Sequence, residues 1–385
     1  MEEQYLHVEM TVARSPKRAG SVCGDQTACH RTAEATTVMV CDGIGSGVKA
    51  NLAARLAISR LRELLDRGFS LRNSFARVVE TVDRYKRRGT TYAALTAAAV
   101  LPDGTVSVLG YEAPAVVRVD GRGRASVLEG SPVTIGRSLV TEAACRLAPG
   151  EGLLIVSDGV TQAGLGHRCP NGWPMQEVAR FLQVRVEAGM PLDELPGEVH
   201  RSALDLWGET HGDDVTAALV RVRPGRTVNL LTGPPKDRRN DARVIERFLD
   251  SPGEHVVCGG TTASIVARQV GRPVDVLHDS PDRLAPPASH IDGVDLVTEG
   301  AVTLNQVANL LDLPPEELPA RGPVADLCRR LQSADRVRLL VGLAENPAGG
   351  DVSLRQLGVL QREKIVARLA ETLRSQRKLV LVEYA

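Results

Sequence analysis

The chain has 385 residues, with 47 Lys and Arg against 47 Asp and Glu, and 43% of its residues are hydrophobic. That length exceeds what one hydrophobic core organises, so two domains are expected, and the apolar fraction excludes wholesale disorder. The charges balance at 26 and 26 over residues 1–225 and at 21 and 21 over 226–385, which argues against a nucleic-acid binder or a binder of anionic membranes.

Along the chain, the β-branched run within Glu34–Cys41 reads as a strand that stops at Asp42-Gly43-Ile44-Gly45-Ser46-Gly47. From Val48 the pattern turns helical, with Leu52, Leu56, Leu61, Leu64 and Leu65 as one stripe up to Gly68. Ser70 is placed to cap a second helix with apolar positions Leu71, Phe75, Val78, Val79, Val82 and Tyr85. Short strands follow at Ala94–Leu101, Val106–Tyr111 and Ala115–Val119, the first two joined as a hairpin around Pro102-Asp103-Gly104. Gly152–Ser157 is an apolar strand meeting Asp158-Gly159, a polar stretch with helical patches runs from about Gly164 to Trp207, and a last strand starts from Asp213-Asp214. Strand runs interleaved with two adjacent helices point to a sheet-rich α+β domain over residues 1–225.

Pro224-Gly225-Arg226 reads as the boundary. Beyond it, strands at Thr227–Thr232, His255–Cys258 and Val274–Leu277 alternate with helices at Ala242–Leu249 and Thr262–Val270. A helix around Leu354–Arg374 and an apolar run Leu379–Val382 close the chain. This rhythm predicts a small α/β layer domain over 226–385. The seven cysteines, Cys23, Cys29, Cys41, Cys145, Cys169, Cys258 and Cys328, form no Cys-x-x-Cys pair, which argues against a zinc ribbon and suits reduced thiols. Met1-Glu2-Glu3-Gln4-Tyr5 carries no signal-peptide core, and no run nears the roughly 18 apolar residues of a membrane helix, so a cytoplasmic protein is expected.

Three apolar strands of the first half meet an acid at one end: Asp42, Asp158 and Asp213; Asp25 stands just upstream of the first. Strand ends of one sheet lie side by side, so these carboxylates can converge, and clustered carboxylates repel unless cations neutralise them. Oxygen ligands without His or Cys select Mg²⁺ or Mn²⁺ over zinc, and a pair of such ions can activate a water and neutralise phosphoryl oxygens. Taken singly, each Asp-Gly is equally a turn, and Asp42–Gly47 is equally a phosphate-cradling or tight-turn loop.

The joint order of Gly24-Asp25, Val40–Ala50, Leu154–Ala163 and Asp213-Asp214-Val215-Thr216 resembles the metal-dependent PPM-type serine/threonine protein phosphatases, in their sporulation-stage-II-E (SpoIIE) branch. The resemblance covers about Cys23–Val222 and implies two antiparallel sheets packed as a sandwich between helices, with a binuclear Mn²⁺ or Mg²⁺ site at one edge. It implies that Asp42 bridges both ions, that Gly43 lends its carbonyl, and that Asp158 and Asp213 are ligands, with Asp214 a second candidate and Asp25 a further one. The implied reaction is single-step hydrolysis of phosphoserine or phosphothreonine on a regulatory protein by a metal-bridging hydroxide, with no phosphoenzyme expected. Phosphorylated anti-anti-sigma-type regulators are the substrate class it suggests. The basic cluster Arg14, Lys17 and Arg18 is either a phosphate contact or a solvated face. One departure is local: the branch usually carries an Asn-x-Gly-His-like segment after the hairpin, and here Leu109-Gly110-Tyr111-Glu112-Ala113-Pro114 keeps the Pro without the His.

In the second half, Cys258-Gly259-Gly260-Thr261-Thr262 leaves a strand and opens a helix, an arrangement suited either to a small anionic effector or simply to close packing. It matches neither Walker A nor the dinucleotide fingerprint. A regulatory or ligand-binding domain and a docking module are the two readings of residues 226–385. Two rivals stand for the first half: a catalytically silent, metal-dependent scaffold for phosphoproteins, and a histidine-kinase-type ATP-binding module. The second leaves Asp158 and the Asp213-Asp214 pair without a role.

Overall fold

A computed structural model describes residues 5–45, 47–208, 212–276, 289–344 and 359–385. Ser46 of the glycine-rich segment, Leu277 and the expected helix start at Leu354 lie outside the described residues. The chain divides into two compact units, Leu6–Pro224 and Gly225–Ala385, the latter including Tyr5.

The first unit holds strands β1 (Leu6–Ser15), β2 (Gln26–Arg31), β3 (Thr36–Ile44), β4 (Tyr92–Val100), β5 (Thr105–Tyr111), β6 (Val117–Val119), β7 (Ala125–Val127), β8 (Ser131–Ile135), β9 (Ser138–Arg146), β10 (Gly152–Val156) and β11 (Val215–Pro224). Its helices are α1 (Gly47–Asp66), α2 (Leu71–Arg87), α3 (Asp158–Thr161), α4 (Met175–Glu187) and α5 (Leu195–Trp207). One antiparallel sheet runs β1-β11-β10-β6-β7 and the other β2-β3-β4-β5-β9-β8.

Strand alternation builds the layers. Val38 and Val40 of β3 join Leu153 and Ile155 of β10 and Ala218, Val220 and Val222 of β11 between the sheets. Met39 and Cys41, one residue out of phase, face α1 and α2 together with Phe75, Leu61 and Leu95. On the far side, Leu154, Val156 and Ala217 pack against Val178 and Leu182 of α4 and Val199 of α5. The result is the two-sheet sandwich between helices that the resemblance implies.

Several expectations shift in detail. Leu52 and Leu56, placed by periodicity on the buried stripe of α1, are 50% and 69% exposed. The helix instead buries Ala50, Ala54, Ala57, Ile58, Leu61 and Leu64. The reason is proximity: a Cβ on Gly43 of β3 would lie 2.0 Å from the Ala50 carbonyl oxygen, so only small side chains fit where helix and strand meet. Ser70 does cap α2, accepting from the Asn73 N–H at 3.3 Å, and Phe75, Val78, Val79 and Val82 are buried, whereas Tyr85 in the last turn is exposed. The β4–β5 hairpin closes at Asp103, whose carboxylate accepts from the Thr105 N–H at 2.9 Å. Strands β1, β2, β7, β8 and β9 carry no distinct sequence signal; their half-buried pattern mixes polar and apolar positions.

The second unit contains β12 (Thr227–Thr232), β13 (Glu254–Cys258), β14 (Asp275–Val276), β15 (Ser289–His290), β16 (Leu296–Thr298), β17 (Arg336–Val341) and β18 (Leu379–Tyr384). Helices α6 (Asp241–Leu249), α7 (Gly260–Val270), α8 (Ala301–Leu310), α9 (Pro323–Ser333) and α10 (Arg362–Ser375) flank them. The strand order is β14-β15-β16-β13-β12-β17-β18, with β16, β13, β12, β17 and β18 mutually parallel. Crossing right- and leftward from the central β12 is the doubly wound pattern, with helices covering both faces. Among the described residues, no helix is long and apolar enough to cross a membrane.

Candidate metal centre

Register and alternation bring the acids of the first unit together. In the β2–β3 ladder Gln26 stands opposite Cys41, so Asp25 falls beside Asp42. Asp42 has the parity of Val38 and Val40 and therefore points to the inside of the sandwich at its edge. From the other sheet, the Ser157 N–H donates to the Thr216 carbonyl at 3.0 Å, which sets Asp158 next to the Asp213-Asp214 pair at the start of β11. Two sheets thus contribute to one acidic edge.

Two Asp-Gly pairs owe their glycines to this packing. Gly43 admits the α1 backbone, and a Cβ on Gly159 would lie 2.0 Å from the Asp214 carbonyl oxygen. In both places the residue after the acid must lack a side chain for the neighbouring backbone to come near.

The carboxylates differ in their partners. Asp25 is fully buried, and both of its oxygens lack a hydrogen-bond partner; Asp158 Oδ1 is likewise buried without one. Asp158 Oδ2 accepts from Gln162 Nε2 at 2.7 Å. Burial raises the Asp42 pKa far above the carboxylate range, and the neighbouring Asp25 and Asp158 carboxylates push it further. Burial also raises Asp25, against the lowering influence of Thr216 and Ser157. Asp213 is raised by burial and by Asp158, and its Oδ1 accepts from the Asp214 N–H at 2.9 Å. Asp214 behaves differently: its Oδ1 accepts from the Lys17 N–H at 2.5 Å and its Oδ2 from the Gly24 N–H at 2.6 Å. It ties the segment leading to Asp25 onto β11.

Buried carboxylates without donors are costly when ionised, and either protons or cations relieve them. No group of three or more His, Cys, Asp or Glu among the described residues is already gathered around one point as a cation cage. Asp42 instead has Asp25 and Asp158 as charged neighbours. The donor set, all oxygen and with orphaned buried atoms, fits a hard divalent cation rather than zinc.

Of the basic cluster, Arg14 reaches the site, its Nη1 donating to the Asp25 carbonyl at 2.8 Å. Lys17 enters through its backbone, and the Arg18 side chain forms no hydrogen bond or ion pair among the described residues, while its carbonyl accepts from Ser21. Burial, then Asp25 and Asp214, push the Cys23 thiol up to about 12, and burial, then Asp42 and Asp25, hold the Cys41 thiol well above its usual value, so neither offers a thiolate. A crevice at the acidic edge is lined by Asp42, Thr96, Glu112, Pro114, Ser157 and Asp158. The sequence pattern by itself assigns no role to Gln162, Glu112 or the Ser157–Thr216 brace. For Gln162 a signal exists, since it stands four residues after Asp158 at the start of a helix.

In the second unit, Gly259 adopts φ +122° ahead of α7. The Thr262 hydroxyl accepts from the Gly233 N–H at 2.9 Å, and the Ser264 hydroxyl donates to the Gly260 carbonyl at 3.0 Å. Thr261 is exposed. The hydroxyls of Thr262 and Ser264 therefore serve the fold at this turn.

Residues 32–223 match the family model of Stage II sporulation protein E (SpoIIE). No curated protein sequence matches the chain significantly. Similar solved structures include the RsbU and RsbW domains of Rv1364c from Mycobacterium tuberculosis (18% identity, 64% of this chain and 68% of that one, TM-score 0.46). The PP2C phosphatase domain of SpoIIE from Bacillus subtilis with a fragment of its regulatory domain is another (18% identity, 57% and 63%, TM-score 0.48). The SiaA-PP2C domain of Pseudomonas aeruginosa is a third (21% identity, 55% and 85%, TM-score 0.44). Through residues 32–223, the chain belongs to the SpoIIE family of PP2C-type serine/threonine protein phosphatases, a metal-dependent family.

Proposed function

We propose that the first unit, residues 1–225, hydrolyses phosphoserine or phosphothreonine on a regulatory protein with the help of two Mn²⁺ or Mg²⁺ ions. The observation that carries this reading is the meeting of Asp25, Asp42 and Asp158 at one buried edge, with three of their oxygens lacking any donor. Asp25, Asp42, Asp158 and Asp213, with the Gly43 carbonyl, would hold the ions. Bound there, the ions would supply an activated water and neutralise phosphoryl oxygens.

The chain's own groups do the rest. Gln162 fixes the Asp158 carboxylate by its 2.7 Å hydrogen bond, leaving Oδ1 as the free donor atom. Asp214 acts as a brace rather than a ligand in this reading, because both its oxygens hold backbone amides. Arg14, anchored to the Asp25 carbonyl, presents an exposed guanidinium suited to a phosphate oxygen. An anti-anti-sigma-type phosphoprotein is the substrate class that the family resemblance favours.

The test is phosphate release from a phosphoserine protein and from p-nitrophenyl phosphate with Mn²⁺, Mg²⁺ or chelator. Mn²⁺-dependent turnover is expected, with Asp42→Ala or Asp158→Ala lowering it at least about a thousandfold while the fold persists by circular dichroism. Turnover that survives chelator or both substitutions sinks the reading. For residues 226–385 a regulatory role over this activity is proposed. A chain ending at Gly225 should then turn over p-nitrophenyl phosphate at a rate differing from the full chain by more than about twofold, and identical rates and substrate responses would remove that role.

A further inference from the structure

The last turn of α2 is the most basic stretch of the first unit: Arg84, Lys86, Arg87 and then Arg88 at its C-cap. Cations at a helix C-terminus meet the helix dipole favourably, and one or two suffice for that. Here one of the four is fastened to the acidic crevice and another to a carboxylate of the same helix. Lys86 pairs with Glu112, and its ammonium sits 5.1 Å from the centre of the Tyr92 ring; the Tyr92 hydroxyl donates to Glu112 Oε2 at 3.0 Å. Arg87 pairs with Asp83, to which the Tyr111 hydroxyl also donates at 3.4 Å.

Glu112 is the pivot. It lines the crevice with Asp42 and Asp158, and it holds φ +51°, a left-handed conformation that costs a non-glycine residue energy. The chain leaving α2 enters β4 at the same end of the sheet, where Tyr92 stands opposite Ile44 and Ala94 opposite Asp42. The basic turn is thus held at the rim of the crevice. Arg84 and Arg88 are exposed, and their side chains form no hydrogen bond or ion pair among the described residues.

We propose that this turn is a docking surface for acidic residues flanking the phosphorylated residue of the substrate, with Arg84 and Arg88 as its specificity-determining side chains. Opposite charge fits the surface, and two guanidiniums without carboxylates can accept bidentate partners without breaking an existing pair. Glu112 is the positioning residue: it neutralises Lys86 and anchors the turn, so that recognition falls to the two free arginines. The proposal rests on the phosphatase reading only in naming the crevice as the place where the phosphoserine is consumed.

The test uses the full chain and fluorescein-labelled synthetic phosphoserine peptides that differ only in about three flanking residues on each side, acidic, neutral or basic. Anisotropy reads binding, and phosphate release with Mn²⁺ reads kcat/KM. The acidic peptide is expected to bind and react at least about tenfold better than the basic one at low salt, and the ratio should shrink between about 50 mM and about 300 mM salt. In R84E/R88E the preference should vanish or reverse while p-nitrophenyl phosphate turnover is unchanged. Equal binding of the three peptides, or a preference that persists in R84E/R88E, overturns the proposal. The two readings fail separately: a charge preference in anisotropy without any p-nitrophenyl phosphate hydrolysis removes the phosphatase reading and leaves the docking surface, and hydrolysis indifferent to flanks does the reverse.

Discussion

The two units each turn a strand into a helix through glycines, and they use that turn for opposite ends. At β3–α1 in the first unit, the acid beside the glycine is driven into an edge where it meets two other carboxylates, and several oxygens find no donor. At β13–α7 in the second, the Thr262 hydroxyl accepts the Gly233 amide and the Ser264 hydroxyl closes on the Gly260 carbonyl. The lesson is that a glycine-rich strand end carries no chemistry by itself. What distinguishes a reactive site is polar atoms buried without partners, because the fold then bears a cost that something else must offset.

That contrast can be broken most sharply at the glycines. Gly43→Ala should destabilise the first unit by about 3 kcal/mol or more, since the added methyl would overlap the Ala50 carbonyl. Gly260→Ala meets nothing within 4 Å and should leave stability within about 1 kcal/mol of wild type. Urea unfolding of the two variants decides; similar losses would mean that the two turns are equivalent after all.

A smaller effect is expected at Gln162. Replacing it by Leu removes the donor to Asp158 Oδ2, and Mn²⁺ affinity, read as the metal dependence of turnover, should fall by about 10- to 100-fold. An unchanged Mn²⁺ dependence would show that Gln162 does not orient the carboxylate.

The gentlest test is pH. Asp25 and Asp42 have folded-state pKa values above the ordinary carboxylate value, so the metal-free fold gains from them fully below that ordinary value and loses the gain as pH rises through the raised ones. Divalent ions favour the deprotonated carboxylates and so compete with the protons. The rise in Tm on adding Mn²⁺ should therefore be larger at about pH 8 than at about pH 6. A shift that is flat or declining with pH would contradict cation binding at these acids.

Much of the site is legible in the sequence because it lies where local signals are strong. Asp42, Asp158 and Asp213 sit at the ends of apolar strands, and apolar β-branched runs ended by Asp-Gly are read easily. The α/β character of the second unit is legible from the alternation of β12, α6, β13 and α7, whereas β16 and β17 carry no signal in that reading, β17 because Arg336 and Arg338 interrupt its apolar positions. The stripe on α1 misleads for a physical reason. Periodicity selects large apolar residues, whereas the packing distance at Gly43 selects alanines, leaving Leu52 and Leu56 outside.

By itself, then, the sequence determined the acids, the glycines beside them and the α+β and α/β characters, because composition and period are local properties. Only the tertiary structure decided which acids share an edge and which are spent on backbone amides. Asp213 and Asp214 are adjacent in sequence and alike in chemistry, yet Asp214 ends as a brace for Lys17 and Gly24. The same holds for Glu112 and Lys86, which stand 26 positions apart and meet because α2 and the β5 hairpin end at one rim. Register and packing join residues that spacing alone does not, since a contact across a sheet depends on strand order, and strand order is a property of the whole fold.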